Sequence, residues 1–315
     1  MKNLVSISIK QLYEENKERW DLVLFAGGKN LGRKIKVTEV NRPGLPLAGF
    51  FDYFSNERIQ ILGRTEISYL STLTGQKRKE IFSRFFKYYM PCVIVTTKLK
   101  PPVELIRGVE NNRVPVLQTS SKTTRFISEL SSYLEFILAP RITVHGDLVD
   151  VFGIGILILG KSGIGKSECA LDLVKKGHRL VADDFVEMRK PGERILIGVS
   201  NKTIDYNLEI RGLGIIDVKN LFGISATREK KRIDVVAFLE DWKESREYDR
   251  IGLNESAYKI LGVELPKIVI PVKPGRNLSV ILEVAAINFR AKKMGYFTAR
   301  DFNKKINKLV GGTDD

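Results

Sequence analysis

The segment GKSGIGKS at residues 160–167 constrains the fold more than any other part of the sequence. An apolar run at residues 155–159 precedes it, and residues 166–176 have the apolar spacing of an amphipathic helix. Glycines let consecutive backbone N–H groups turn towards one phosphate, and the start of the helix adds the positive end of its dipole. The pattern G-x-x-x-x-G-K-[ST] between a strand and a helix predicts a nucleotide phosphate-binding loop in an α/β domain.

All eight residues of this glycine-rich loop are predicted to contact the nucleotide. The lysine near its end can reach the β- and γ-phosphates, and the serine hydroxyl after it can ligate Mg²⁺. The loop comprises Gly160, Lys161, Ser162, Gly163, Ile164, Gly165, Lys166 and Ser167.

Loops of this kind usually work with an acidic residue at the end of an apolar strand, and two places qualify. One is the run at residues 235–239, which is followed by Glu240 and Asp241. The other is LVADD, which ends in Asp183 and Asp184 soon after the predicted helix. Adjacent carboxylates there suit a metal contact and a general base, although their spacing fits a surface turn equally well.

The length of 315 residues is enough for two domains. Strand-like and helix-like runs alternate in residues 1–130, which predicts a small α/β domain without an obvious catalytic cluster. Residues 131–315 are predicted to form the domain that carries the loop. Its first strand is expected at residues 142–149 and its last helix at residues 299–310.

Composition excludes few functions. The formal charge of +15 makes nucleic acid a conceivable partner, but the basic clusters are scattered and lack aromatic interleaving, so a nucleic-acid role is disfavoured. Two histidines and two cysteines are too few for a His/Cys metal site. No apolar run approaches the roughly 20 residues that span a bilayer, so a soluble cytoplasmic protein is expected.

Three further features invite a functional interpretation, and the residues alone do not decide it. His145 precedes the loop strand, and its residue type and position favour a structural role. EIRGLGIID at residues 209–217 has two glycines within a charged frame, and PVKPGR at residues 271–276 is a rigid basic segment suited to an anion.

Taken together, these motifs resemble the bifunctional HPr kinase/phosphorylase family. The resemblance covers nearly all of the second domain, in order and at consistent spacing, whereas the first domain matches only in size and alternating pattern. The matching segments are HGDLVDVFGIGILILGKSGIGKSE (145–168), GHRLVADD (177–184), LEIRGLGIIDVKNLFG (208–223), DRIG (249–252), PVKPGRN (271–277) and EVAAINFRAKKMG (283–295).

The resemblance implies a Mg²⁺-dependent enzyme that phosphorylates a serine of HPr, the phosphocarrier protein of the bacterial sugar phosphotransferase system. ATP, with pyrophosphate as an alternative, would be the donor. The reverse reaction would use inorganic phosphate and release pyrophosphate, and the enzyme would regulate carbon catabolite control. The resemblance also implies a catalytic domain similar to phosphoenolpyruvate carboxykinase, a homohexamer and no membrane partner.

The resemblance also assigns residues. His145, Lys166, Asp184 and Arg250 match the catalytic positions, and Ser167 and Glu209 match the Mg²⁺ contacts. Residues 208–217 match a segment needed for both reactions. The segment matched to phosphorolysis or to partner binding consists of Pro271, Val272, Lys273, Pro274, Gly275 and Arg276.

The sequence departs from the family pattern at Lys161, where the family commonly has aspartate. The added positive charge predicts tighter nucleotide binding or altered control by phosphorylated metabolites. Three other functions stay open: a P-loop small-molecule or carboxykinase-like kinase, a nucleic-acid-binding ATPase, and a regulator that binds nucleotide without turnover.

Overall fold

The computed structural model describes residues 5–200, 206–245, 256–298 and Phe302. The chain forms two compact units, Met1–Ala139 and Pro140–Asp315, and both mix helices with strands, as the sequence predicts. The helix Thr123–Ile137 crosses residue 130, where the sequence placed the domain boundary, and it lies wholly in the first unit. The helix expected at residues 299–310 lies outside the described residues, apart from Phe302.

The elements of the first unit are β1 (Ile7–Ser8), α1 (Ile9–Asn16), β2 (Val23–Ala26), β3 (Lys34–Ile35), β4 (Val40–Asn41), α2 (Gly44–Leu47), β5 (Ile59–Leu62), α3 (Arg64–Thr72), α4 (Gly75–Phe85), β6 (Val93–Val95), α5 (Val103–Asn112), β7 (Val116–Gln118) and α6 (Thr123–Ile137). The unit is built on a five-stranded sheet in the order β2-β7-β6-β5-β4, in which only β2 runs antiparallel to its neighbour. Separate apolar clusters contain side chains from alternate positions of β5, β6 and β7.

Helix α6 shows how the sequence pattern produces this packing. Phe126, Leu130 and Leu134 are four residues apart, so they share one face of the helix, and all three are fully buried. They join the apolar cluster that also contains Trp20, and the rings of Trp20 and Phe126 meet edge to face. The helix therefore belongs to the core of the first unit.

The elements of the second unit are β8 (Arg141–His145), β9 (Asp147–Val151), β10 (Ile154–Gly160), α7 (Lys166–Lys175), β11 (Arg179–Ala182), β12 (Phe185–Arg189), β13 (Ile197–Val199), β14 (Asn207–Ile210), β15 (Gly214–Asp217), α8 (Val218–Phe222), β16 (Lys230–Arg232), β17 (Val235–Asp241), β18 (Ser256–Ile260), β19 (Val263–Val272) and α9 (Leu278–Lys293). They form a six-stranded sheet, β11-β9-β10-β17-β19-β18, a four-stranded antiparallel sheet, β16-β13-β12-β8, and the hairpin β14-β15. Strands β10, β17 and β19 are parallel neighbours at the centre of the larger sheet.

Strand β10 carries the glycine-rich loop and is held on both faces. Its residues from Ile154 to Leu159 are all buried, which is typical of a central strand covered on two sides. Alternate side chains enter two different apolar clusters of the unit. The loop therefore begins at a fixed point of the core.

The strand expected at residues 142–149 is divided into β8 and β9, which belong to different sheets. The division falls at Gly146, where a Cβ atom would lie 2.6 Å from the carbonyl oxygen of Ile158 in β10. The chain can pass this close to β10 only without a side chain, and there it turns from one sheet to the other.

No helix among the described residues combines the length and apolar character that a membrane crossing requires.

Candidate active site

Three segments that the sequence analysis singled out end on the same edge of the central sheet. The glycine-rich loop follows β10, Glu240 and Asp241 end β17, and residues 271–276 cover the end of β19 and the turn after it. Because these strands are parallel neighbours, their carboxyl ends lie side by side. In open α/β sheets this edge is where ligands bind.

The glycine-rich loop leads directly into α7. Gly165 has a φ of +97°, a left-handed conformation that glycine adopts without strain, and it is the residue before the first turn of the helix. Lys166 begins the helix and is 5% exposed, with its Nζ 3.4 Å from the carbonyl oxygen of Lys161. The backbone of the loop thereby holds the ammonium group of this buried lysine in place.

A small polar cleft of about 90 Å³ opens beside this loop. Residues from four separate stretches of the chain contribute to it, and the residues matched to catalysis and to Mg²⁺ are among them, apart from Arg250, which lies outside the described residues. The lining consists of His145, Ser162, Gly163, Gly165, Lys166, Ser167, Glu168, Asp184, Glu209 and Arg211.

His145 and Asp184 face each other in the cleft. The distance from His145 Nε2 to Asp184 Oδ1 is 3.6 Å, and both side chains are a little under half exposed. Strands β8 and β12 pair so that His145 lies opposite Phe185, the residue after Asp184. The pairing of these strands therefore places an imidazole and a carboxylate together beside the glycine-rich loop.

Behind Asp184 lies a pair of buried carboxyl groups, Asp147 and Asp183. Burial raises the pKa of Asp147 well above its ordinary value, and the negative charge of Asp183 raises it further. Burial also raises the pKa of Asp183, while hydrogen bonds with Asp147, the Ser167 hydroxyl and the Glu209 backbone amide oppose that rise. Burial therefore favours the neutral form of both carboxyl groups, and of Asp147 in particular.

The oxygen atoms of this region suit a hard divalent cation. One oxygen each from Asp147, Asp183 and Asp184 lies within 4.8 Å of the others, and Ser167 and Glu209 line the adjoining cleft. Among the described residues, Asp183 Oδ1 is buried without a hydrogen-bond partner. Carboxylate and hydroxyl oxygens are ligands that Mg²⁺ accepts.

Other expected site residues lie outside this cleft. Lys161 forms an ion pair with Asp241, and both side chains are more than half exposed. The ammonium group of Lys273 lies 5.5 Å from the ring centre of Trp242, and Arg276 donates a hydrogen bond to the carbonyl oxygen of Pro271. Arg250 lies outside the described residues.

The structure adds two residues that the sequence analysis did not select, Asp147 and Arg211. Asp147 forms the buried pair with Asp183, and Arg211 lies so close to the loop that a Cβ at Gly163 would be 2.6 Å from its Nη2. The available signal for Asp147 was its position directly after a glycine and directly before the largely apolar run at residues 148–151. Arg211 lay within the EIRGLGIID segment but was not assigned a role.

A lysine, a hydroxyl and several carboxylates around a glycine-rich loop, on the carboxyl edge of an α/β sheet, define the class of phosphate-handling α/β enzymes. Sequence comparison specifies the family. The model described as "HPr Serine kinase C-terminal domain" matches residues 137–306, and that described as "HPr Serine kinase N terminus" matches residues 7–134. The chain therefore belongs to the HPr serine kinase family.

Individual relatives agree with the family match. The HPr kinase/phosphorylase of Caldicellulosiruptor bescii is 51% identical over 88% of this chain and 89% of its own length. That of Geobacillus kaustophilus is 50% identical over 93% of this chain and 94% of its own length. A solved structure of the Hpr(Ser) kinase/phosphatase from Coxiella burnetii is 34% identical, covers 51% of this chain and 98% of its own, and has a TM-score of 0.46.

Proposed function

We propose that this chain is a bifunctional protein-serine kinase/phosphorylase that transfers phosphate from ATP to a serine of HPr and removes it with inorganic phosphate. Its membership of the HPr serine kinase family supports the activity. The observation that carries the mechanism is the placement of Asp184 and His145 in the same cleft as Lys166 and Ser167.

In the kinase direction, Asp184 accepts the proton of the attacking serine hydroxyl. The serine oxygen forms a bond to the γ-phosphorus of ATP as the bond to the β,γ-bridging oxygen breaks, which leaves phosphoserine and ADP. Lys166 neutralises charge on the phosphates, and the backbone of residues 160–167 holds them. His145 assists Asp184 or orients the phosphate, since it lies 3.6 Å from that carboxylate.

In the phosphorolysis direction the same groups act in reverse. An oxygen of inorganic phosphate attacks the phosphorus of phosphoserine, pyrophosphate forms, and Asp184 returns a proton to the leaving serine oxygen. Arg250 neutralises negative charge on the phosphate group that is being transferred. Residues 271–276 hold inorganic phosphate or contact HPr, because the segment supplies Lys273 and Arg276 on the edge of the sheet that carries the loop.

We assign Mg²⁺ to Ser167 and Glu209, and the buried oxygen of Asp183 beside them adds to the negative charge that attracts a cation. When bound, Mg²⁺ would neutralise negative charge on the phosphates. We also infer from the family resemblance a phosphoenolpyruvate carboxykinase-like catalytic domain, pyrophosphate as an alternative donor and a homohexameric assembly. The activity would serve carbon catabolite control.

The decisive experiment incubates the protein with γ-labelled ATP, Mg²⁺ and HPr, and then adds an excess of inorganic phosphate. We expect label on a serine of HPr, followed by its release as pyrophosphate. Label on a metabolite would indicate a small-molecule kinase, and hydrolysis stimulated only by DNA or RNA would indicate a nucleic-acid-binding ATPase. Binding of ATP without transfer would indicate a regulator.

The variant Asp184→Asn tests the proton-transfer role. The amide keeps the size of the side chain but is not a base, so both directions should slow by about a hundredfold or more, because general base catalysis contributes 10²–10⁴-fold. The control is Lys175→Gln, which also replaces a charged side chain by a neutral amide, at an exposed position of α7 that does not line the cleft. Wild-type rates in both directions for Asp184→Asn would exclude the role.

A further inference from the structure

Asp147 has an unusual position for a charged side chain. It is the first residue of β9, pairs with Ile158 of the central strand, and has no exposed surface. Within the part of the chain that the structure describes, its Oδ2 atom accepts no hydrogen bond from an N–H group or a hydroxyl, and its polar neighbour is the carboxyl group of Asp183. A buried carboxyl group without full hydrogen bonding opposes folding, and such a group calls for an explanation.

The carboxyl group of Asp147 contacts the backbone of Asp184. The N–H of Asp184 donates to Oδ1 of Asp147 over 3.3 Å, and the preceding residue, Gly146, donates its N–H to the carbonyl oxygen of Asp184 over 2.9 Å. Gly146 and Asp147, the residue before β9 and its first residue, thus hold both polar backbone groups of Asp184.

The backbone of Asp184 needs this support because it is strained. Its φ is +57°, a left-handed conformation that residues with a side chain rarely adopt. The turn closes with a hydrogen bond of 2.6 Å from the N–H of Phe185 to the carbonyl oxygen of Asp183. Released from Asp147, the turn would relax towards a common backbone conformation and swing the Asp184 carboxylate away from His145.

We propose that Asp147 is a positioning residue, which holds the left-handed turn at Asp184 and so aims the Asp184 carboxylate at the hydroxyl that it deprotonates. The inference rests on the catalytic role of Asp184 proposed above, and it adds a residue to that mechanism. Displacement of a reacting group by about 1 Å can cost about a hundredfold in rate, so a single backbone hydrogen bond here affects turnover.

Three substitutions of Asp147 differ in whether the new side chain can accept the hydrogen bond from the Asp184 N–H. Leucine, in Asp147→Leu, fills similar space but has no acceptor. Alanine, in Asp147→Ala, also has no acceptor and serves if leucine does not fit. Both should lower kcat by about ten- to a hundredfold in both directions and leave KM for ATP near the wild-type value, because the loop is not displaced. Asp147→Asn keeps an acceptor oxygen and should retain most of kcat.

Amide hydrogen exchange reports on the turn independently of activity. The Asp184 N–H should exchange faster in Asp147→Leu and Asp147→Ala than in the wild type, and it should stay protected in Asp147→Asn. Wild-type kcat in a folded leucine or alanine variant would overturn the proposal. An equal loss of kcat in the asparagine and leucine variants would do so as well, because asparagine preserves the acceptor.

The double variant Asp147→Leu/Asp184→Asn tests the positioning role of Asp147 separately from the proposed catalytic role of Asp184. If Asp147 acts through Asp184, the leucine should reduce kcat little further once the Asp184 carboxylate is gone. A full additional loss contradicts the proposal. An active Asp184→Asn enzyme instead refutes the proposed role of Asp184, whereas an inactive Asp184→Asn together with a fully active Asp147→Leu refutes only the positioning role.

Discussion

At the scale of single residues, Lys161 shows how a tertiary contact changes the meaning of a charge. The sequence suggests that its ammonium group adds to the positive field of the glycine-rich loop. In the fold it pairs with Asp241 at the end of β17, so its charge is offset by a carboxylate on the neighbouring strand. Both side chains are more than half exposed, and water and salt weaken such a pair.

We expect Lys161→Asp to weaken ATP binding, because it sets two carboxylates side by side next to the phosphate site. An exposed pair contributes up to about 1 kcal/mol, so Kd should rise by about two- to fivefold at low salt and by less at high salt. Isothermal titration calorimetry measures the change. The double variant Lys161→Asp/Asp241→Asn should recover most of the affinity, and an unchanged Kd in Lys161→Asp would contradict the expectation.

At the scale of secondary-structure elements, the bend between β8 and β9 organises the site. It allows β8 to pair with β12 and β9 to pair with β10 and β11. The first pairing sets His145 opposite the turn that contains Asp184, and the second sets Asp147 behind it. One interruption at Gly146 thereby brings the two strands of the motif HGDLVD to opposite sides of the same acidic turn.

Gly146→Ala should therefore destabilise the second unit. Its methyl group would lie 2.6 Å from the carbonyl oxygen of Ile158, and neither backbone can move without disturbing β10. Overpacking of this kind costs about 1–3 kcal/mol, which lowers Tm by roughly 2–12 °C at this size. Differential scanning calorimetry tests it. Gly32→Ala is the control, because its methyl group would meet nothing within 4 Å; equal Tm values in both variants would count against the explanation.

At the scale of the whole molecule, the buried carboxyl pair links folding stability to pH. Asp147 and Asp183 both have a pKa raised above the ordinary value of 3.8, mainly by burial. The folded protein therefore keeps protons that the unfolded chain has released. Their contribution to the free energy of unfolding is fully present below pH 3.8 and is lost as the pH rises through the raised pKa values.

Replacing Asp147 should remove its part of this pH-dependent loss. Relative to the wild type, Asp147→Asn should become more stable as the pH rises from about 4 to about 8, since asparagine has no proton to release. Tm measured by calorimetry across this range, with a chelator present, tests the prediction. Asp147→Leu should show the same trend, because it also lacks the titrating group, and Tm curves parallel to that of the wild type would argue against it.

Much of the second unit can be predicted from sequence because its signals are local. An apolar run followed by GKSGIGKS and an amphipathic stretch predicts a strand, a loop and a helix, and these form as β10, the glycine-rich loop and α7. The choice between the two acidic segments was not local. The fold puts Asp184 in the cleft beside Lys166 and turns Asp241 to Lys161, a result that depends on which strands become neighbours.

The sequence by itself determined the phosphate-loop motif, the mixed α/β class and the family, because each depends on residue types at short, fixed spacing. Tertiary structure alone decided that Asp147, Asp183 and Asp184 converge, although about 37 positions separate the first from the last. Register explains this: a strand places its side chains by pairing with strands distant in the chain, and that pairing is settled only when the whole core packs. The same register decides that Lys161 pairs with Asp241 and that Asp147 holds the turn at Asp184.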